Sequence, residues 1–200
     1  MTKPQKLSPG EQKNLDRLLI EAARAGRTEA VKAMLVVGAY VHAQDDDALF
    51  WAAWRGHTET VKILLAAGAN VHAGDDEALR WAARNGHAET LRTLLAAGAN
   101  VHAENDEALR RAAMNGHIGT VPVLARHIFA PASWQGKNRA EIEAYANALY
   151  DKIKAENPQP ERLQKAGTIL VDSALQCWEQ IRPAPPNIQI SPLPAQPRAL

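Results

Sequence analysis

The chain has 200 residues, 46% of them hydrophobic and 22% charged, with a formal net charge of +1. That length allows one or two domains or a stack of several small units. Near-neutrality counts against a dedicated nucleic-acid binder, which usually carries a marked basic excess. No apolar run approaches the ~20 residues that span a bilayer. The opening "MTKPQKLSPGEQKN" has no apolar h-region, so no secretory signal is read there. The single cysteine, Cys177, excludes an intrachain disulfide and a cysteine-based zinc site. An intracellular, cytoplasmic protein is expected.

Residues 1–11 read as an N-terminal extension, and from 12 to 130 the chain repeats itself. Gly26, Gly56, Gly86 and Gly116 stand 30 residues apart, as do Leu19, Leu49, Leu79 and Leu109. The Ala-Ala pairs 22–23, 52–53, 82–83 and 112–113 hold the same register, and "GAYVHA" at 38–43 recurs as "GANVHA" at 68–73 and 98–103. Four copies at one period predict a stacked array, in which no unit buries its apolar face alone.

Residues 75–103, "DDEALRWAARNGHAETLRTLLAAGANVHA", define one unit. Asp75 or Asp76 is expected to supply an N-cap oxygen, with acidic neighbours suiting the positive end of a helix. Leu79, Ala82 and Ala83 mark the buried face of a first helix, which Asn85-Gly86 stops with a residue that tolerates positive φ. A second helix from about Ala88 buries Leu91, Leu94 and Leu95 at helical spacing. Gly98 ends it, and "ANVHA" is expected to run extended into the next unit. The fourth copy decays: Gly119 replaces the glutamate of Glu59 and Glu89, Pro122 enters the second helix, and no glycine stands at 128. A proline beyond the first turn removes a backbone hydrogen bond, so this helix is expected to start late or bend.

The segments "ALRWAARNGH" and "ETLRTLLAAGANVHA", with their equivalents from about 48 and 108, resemble the ankyrin-repeat family, in versions similar to those of bacterial and viral proteins. The resemblance covers roughly residues 12–128, and the first copy is degenerate, as terminal caps of such arrays are. Units of that family usually run about 33 residues and open on Thr-Pro-Leu-His. Here "DALF" and "EALR" replace the tetrapeptide and three residues are missing between Val71 and Leu79. The resemblance assigns the loss to the β-hairpin finger between units. The expected fold is all-α: an ankyrin-like α-solenoid with short connectors in place of fingers, plus a C-terminal helical hairpin.

That hairpin is read within residues 131–182. "KNRAEIEAYANALYDKIKAE" (137–156) puts Ile142, Tyr145, Leu149 and Ile153 on one stripe. "PERLQKAGTILVDSALQCWEQI" does the same with Leu163, Ala166, Leu170, Ala174, Cys177 and Ile181. It has two readings, a cap over the end of the array or a docking or self-associating element at 137–181. Residues 183–200 form a proline-rich tail holding half of the twelve prolines, expected to be extended or disordered.

Six of the seven histidines are periodic: His42, His72 and His102 in the connectors, His57, His87 and His117 at the inter-helix turns. Packed helices lie ~8–10 Å apart, whereas zinc ligands must approach to about 2 Å from the metal. One histidine per unit does not converge on a metal. In the family, the turn histidine is structural and bonds neighbouring backbone. The acidic clusters 45–47, 75–77 and 104–107 are separated in the same way, and Cys177 lies on a buried stripe. No catalytic group, metal or cofactor is expected.

The tryptophans read differently. With Leu79 pointing inward, a 100° step per residue puts Trp81 some 160° away, flanked by Glu77 and Arg84. Across the units this face reads Glu21, Trp51, Trp81, Arg111 in one row and Arg24, Trp54, Arg84, Met114 in the next. The ankyrin resemblance places it on the concave, partner-binding side. Trp and Arg are also the residue types most enriched at interface hot spots. The candidate partner-binding residues are Asp47, Trp51, Trp54, Glu77, Arg80, Trp81, Arg84, Arg110, Arg111 and Met114. The competing reading is that Trp51 and Trp81 stack on each other between units. The expected function is a protein-protein interaction module acting as adaptor, inhibitor or effector, in a host cytoplasm if an effector. The alternative is a binder of a nucleotide or single-stranded nucleic acid, with bases stacked on the tryptophans beside Arg80, Arg84, Arg110 and Arg111.

Overall fold

The computed structural model describes residues 7–129, 137–155 and 160–181, which contain ten helices and no strand. They are α1 (Pro9–Arg24), α2 (Thr28–Val37), α3 (Asp47–Arg55), α4 (Thr58–Ala66), α5 (Ala73–Arg84), α6 (Ala88–Ala96), α7 (Ala103–Met114), α8 (Val121–Ile128), α9 (Arg139–Ala155) and α10 (Pro160–Ile181). α1 starts at Pro9, inside the expected extension, because Ser8 and Glu11 form a reciprocal capping box there. The proline-rich tail and the 156–159 link lie outside the described residues.

The helices form two layers. α1, α3, α5 and α7 pack side by side, and α2, α4, α6 and α8 form the second row, each joined to its partner by a tight turn. Leu19, Leu49, Leu79 and Leu109 are at most 1% exposed, and the Ala-Ala pairs beside them are buried too. The small alanines let first-layer helices approach closely, and each leucine fills the space between layers.

The turn inside each pair couples neighbouring units. Gly26, Gly56, Gly86 and Gly116 have φ of 66–79°, which glycine adopts without the Cβ penalty. The next unit's imidazole lies against the first three of these: an added Cβ would stand 2.5–2.6 Å from Nδ1 of His57, His87 and His117. His57 Nε2 reaches the Arg24 carbonyl at 3.2 Å, and His87 Nε2 reaches the Trp54 carbonyl at 3.0 Å. The turn histidines therefore join one unit to the backbone of the one before. Asn85 and Asn115 donate to the carbonyls of Trp54 and Arg84, and Thr58 bonds Thr90 at 2.9 Å.

Burial lowers the His87 pKa from the ordinary 6.5, against the opposing pull of its Trp54 hydrogen bond. A folded value below the unfolded one means the unfolded chain takes up the proton first. His87 thus contributes stability fully above the unfolded value, and that contribution is lost as pH falls through the folded value. The melting midpoint should drop between about pH 7.5 and about pH 5.5, and drop less in His87→Gln. An equal drop in both proteins would show that His87 is not the coupled group.

The connectors correct two expectations. They are not extended, and the aspartates do not cap the helices through their side chains. Gln44-Asp45-Asp46, Gly74-Asp75-Asp76 and Glu104-Asn105-Asp106 each place three consecutive residues in the left-handed region, with φ of 50–63°. Such a turn costs roughly 1–2 kcal/mol per non-glycine residue, and the aspartate that ends it makes compensating bonds. Asp46 and Asp76 are buried. They accept the backbone N–H groups of Asn70 and Asn100 at 2.8 Å, as Asp16 accepts that of Tyr40 at 2.7 Å. The same carboxylates meet Nδ1 of His42 and His72 at 3.1 Å. A single left-handed turn, pinned by an aspartate, forms the short connector that was expected in place of a finger.

The array ends as its last copy anticipates. α8 starts only at Val121, with Pro122 in its first turn, where a missing N–H is harmless. α10 packs on α8 and α7, and α9 lies against α10. Ile142, Leu149 and Ile153 are buried on α9, as are Leu163, Ala166, Leu170, Ala174 and Cys177 on α10. Tyr145 departs from its expected stripe: it is 39% exposed and Ala146 takes the inward position. Its ring meets Phe129 edge-on at 5.9 Å. Burial, opposed by Arg126, raises the Cys177 pKa and holds its thiol protonated. The Ile181 side chain lies outside the described residues.

Candidate functional site

The outward face of the first-helix layer carries the aromatic residues. In α3, "DALFWAAWR", Leu49, Ala52 and Ala53 point into the core, so Trp51 and Trp54 must face away from it. α5 repeats the arrangement with Trp81. The rings make one cluster across two units: Trp51–Trp54 at 4.6 Å between centroids, Trp54–Trp81 at 5.5 Å, and Phe50 at 5.0 Å from Trp51, 5.9 Å from Trp54 and 6.2 Å from Trp81. All four residues are partly buried. Trp54 and Phe50 thus each join Trp51 to Trp81.

Arginines lie over these rings. The Arg24 guanidinium stands 4.3 Å from the Trp51 centroid, that of Arg84 4.5 Å from Trp81, and that of Arg55 5.4 Å from Trp54. Each occupies the last turn of its helix, where a cation suits the negative end of the dipole. Such contacts are worth ~0.5–1 kcal/mol at exposed sites.

The remaining candidates divide by role. Glu77 accepts from the Trp81 indole at 3.1 Å. Burial and then the neighbouring Glu77 and Asp45 carboxylates raise the Asp47 pKa. Arg80 donates to the carbonyls of Asp75 and Gly74 at 3.1 and 2.8 Å and pairs with Glu107, which Arg111 also grips at 2.7 Å. Burial pushes the Glu107 pKa up, but the two guanidiniums outweigh it and hold the carboxyl below its ordinary value. Arg80 therefore ties α5 to α7, and Arg111 holds the same carboxylate from within α7. Arg110 and Met114 are partly buried on α7, Met114 against the core.

The face thus has an apolar centre between two charged edges. Asp45, Asp47, Asp75 and Glu77 line the connector edge; Arg24, Arg55 and Arg84 line the turn edge. The sequence reading left out Phe50, Arg55 and Glu107, and counted Arg24 only within its row. A signal for Phe50 existed, since the row Ile20, Phe50, Arg80, Arg110 places it where later units carry arginine. For Glu107 the signal was its i,i+4 spacing to Arg111, whereas the grip of Arg80 crosses units and left none. A separate open groove of about 1040 Å³ lies between the first turns of α1 and the 40–44 connector, lined by Gln12, Lys13, Arg17, Tyr40 and His42.

Paired helices in register, two layers deep, define a helical repeat solenoid. The chain belongs to the ankyrin-repeat family: a family model described as ankyrin repeats (3 copies) matches residues 5–75, and one described as ankyrin repeats (many copies) matches residues 79–125. No curated protein matches the chain. Ankyrin repeats are generally protein-protein interaction modules, and proteins built from them are typically non-enzymatic. Among the described residues, no helix is long and apolar enough to cross a membrane.

Proposed function

We propose that the outward face of α1, α3, α5 and α7 is the surface that takes a protein partner, and that the chain acts as an adaptor, inhibitor or effector by occupying that partner. One observation carries this reading. Four aromatic residues, partly exposed and in mutual contact, form an apolar centre with a charged rim, the anatomy of an interface. The engagement of Arg80 and Arg111 with Glu107 favours a protein over a nucleic acid, because it removes two of the cations a stacked strand would need. The hairpin of α9 and α10 is the cap of the array in this reading, since it covers α7 and α8.

The test is the double change Trp51→Ala with Trp81→Ala, measured against a partner captured from the native host by crosslinking. Affinity should fall by roughly 2 kcal/mol or more, with the helical circular dichroism and the melting midpoint retained. If the melting midpoint drops first and binding only follows it, the rings serve packing between units. Saturable, salt-sensitive binding of a labelled oligonucleotide would move the reading to nucleic acid.

A further inference from the structure

The arginines of the first-helix face fall into two groups. Arg17 is paired with Glu21 at 2.7 Å, and Arg80 and Arg111 share Glu107. Arg24, Arg55 and Arg84 have no carboxylate partner among the described residues, and each lies against an indole. The helix dipole accounts for a cation in the last turn but not for a guanidinium folded onto a ring. Stacking restricts the side chain while leaving its N–H donors in the ring plane unused. A planar donor fork held in place is suited to a carboxylate, and its restriction lowers the entropy lost on binding.

Resting on the reading of this face as a partner surface, we propose that it selects an extended acidic peptide, whose carboxylates are taken by Arg24 and Arg84 on either side of an apolar side chain seated on Trp54. Neighbouring packed helices lie ~8–10 Å apart, so two units separate these arginines by roughly 16–20 Å. An extended chain advances ~3.3 Å per residue and turns alternate side chains to one face. Acidic residues six positions apart, with an apolar residue two from either end, therefore match the spacing. Arg55 adds a third cation to the same edge. The acidic edge formed by Asp45, Asp47, Asp75 and Glu77 repels the same peptide and so fixes which edge its carboxylates occupy.

The probe is a fluorescein-labelled peptide with two glutamates six positions apart and a leucine two residues from the first, titrated into the full chain by anisotropy. Saturable binding is expected, about tenfold or more weaker for the peptide with glutamine in place of both glutamates. Arg24→Gln with Arg84→Gln should give a loss of about the same size with the helical circular dichroism retained, and Arg17→Gln should leave binding intact. Equal binding of the two peptides, or indifference to the Arg24 and Arg84 changes, overturns the proposal. A captured partner lost with Trp51→Ala and Trp81→Ala but indifferent to Arg24 and Arg84 would sink the acidic peptide and leave the partner surface standing. A captured partner indifferent to the tryptophans would sink that surface itself.

Discussion

Leu79→Ala is expected to destabilise the chain by about 2–5 kcal/mol in chemical denaturation, the range for a large-to-small change in a packed interior. Leu79 is 0% exposed and flanked by Ala78, Ala82 and Ala83, all buried. Alanine neighbours have no longer side chains with which to refill the void, so the loss should lie in the upper part of that range. The array folds by stacking, and a weak third unit exposes the interfaces on both sides of it. Broadening of the transition would accompany the loss. A change below about 1 kcal/mol would mean the layers close over the gap, and the first-helix packing described above would be wrong.

Gly56→Ala should be nearly as damaging, and far more so than Gly68→Ala. Both glycines have positive φ, 74° and 94°, so alanine at either carries a backbone cost of roughly 1–2 kcal/mol. Gly68 has nothing within 4 Å of an added Cβ, so its loss stops there. At Gly56 the Cβ would lie 2.5 Å from His87 Nδ1 and 2.7 Å from Cγ, and the ring must leave. Its departure removes the bond to the Trp54 carbonyl, worth ~0.5–1.5 kcal/mol. A loss of about 1.5–3.5 kcal/mol for Gly56→Ala, against about 1–2 kcal/mol for Gly68→Ala, is expected from thermal or urea melts. Equal losses would show that the histidine does not couple the units.

The repeat was legible in the residues because periodicity is a property of the chain itself. Leucine, alanine pair and glycine at one interval specify helix, tight turn and helix, whatever surrounds them. Pro122 likewise announced that the last second helix starts late or bends, since a missing N–H is tolerated without cost only in a first turn. The missing three residues announced a short connector, but not its conformation. Three left-handed residues in a row are locally unfavourable, and they persist because Asp46 and Asp76 meet Asn70 and Asn100 from the following unit. Local propensity could not show that, and so it suggested an N-cap for Asp76.

The candidate face divided in the same way. A 100° step per residue was enough to turn Trp51, Trp54 and Trp81 away from the core, since a helix leaves no other direction open. Whether Arg80 and Arg24 are engaged, and by what, depended on groups 27 residues away. Arg80 meets Glu107, whereas Arg24 meets the face of Trp51. Phe50 joins the cluster because it replaces the arginine of later units and leans across to Trp81. The sequence by itself determined the helices, their pairing and the face that looks outward, because these follow from spacing along one chain. The tertiary structure alone decided which charges and rings meet across units, as Arg80 meets Glu107 and Trp54 meets Trp81, because those contacts depend on how closely the alanine-lined helices approach.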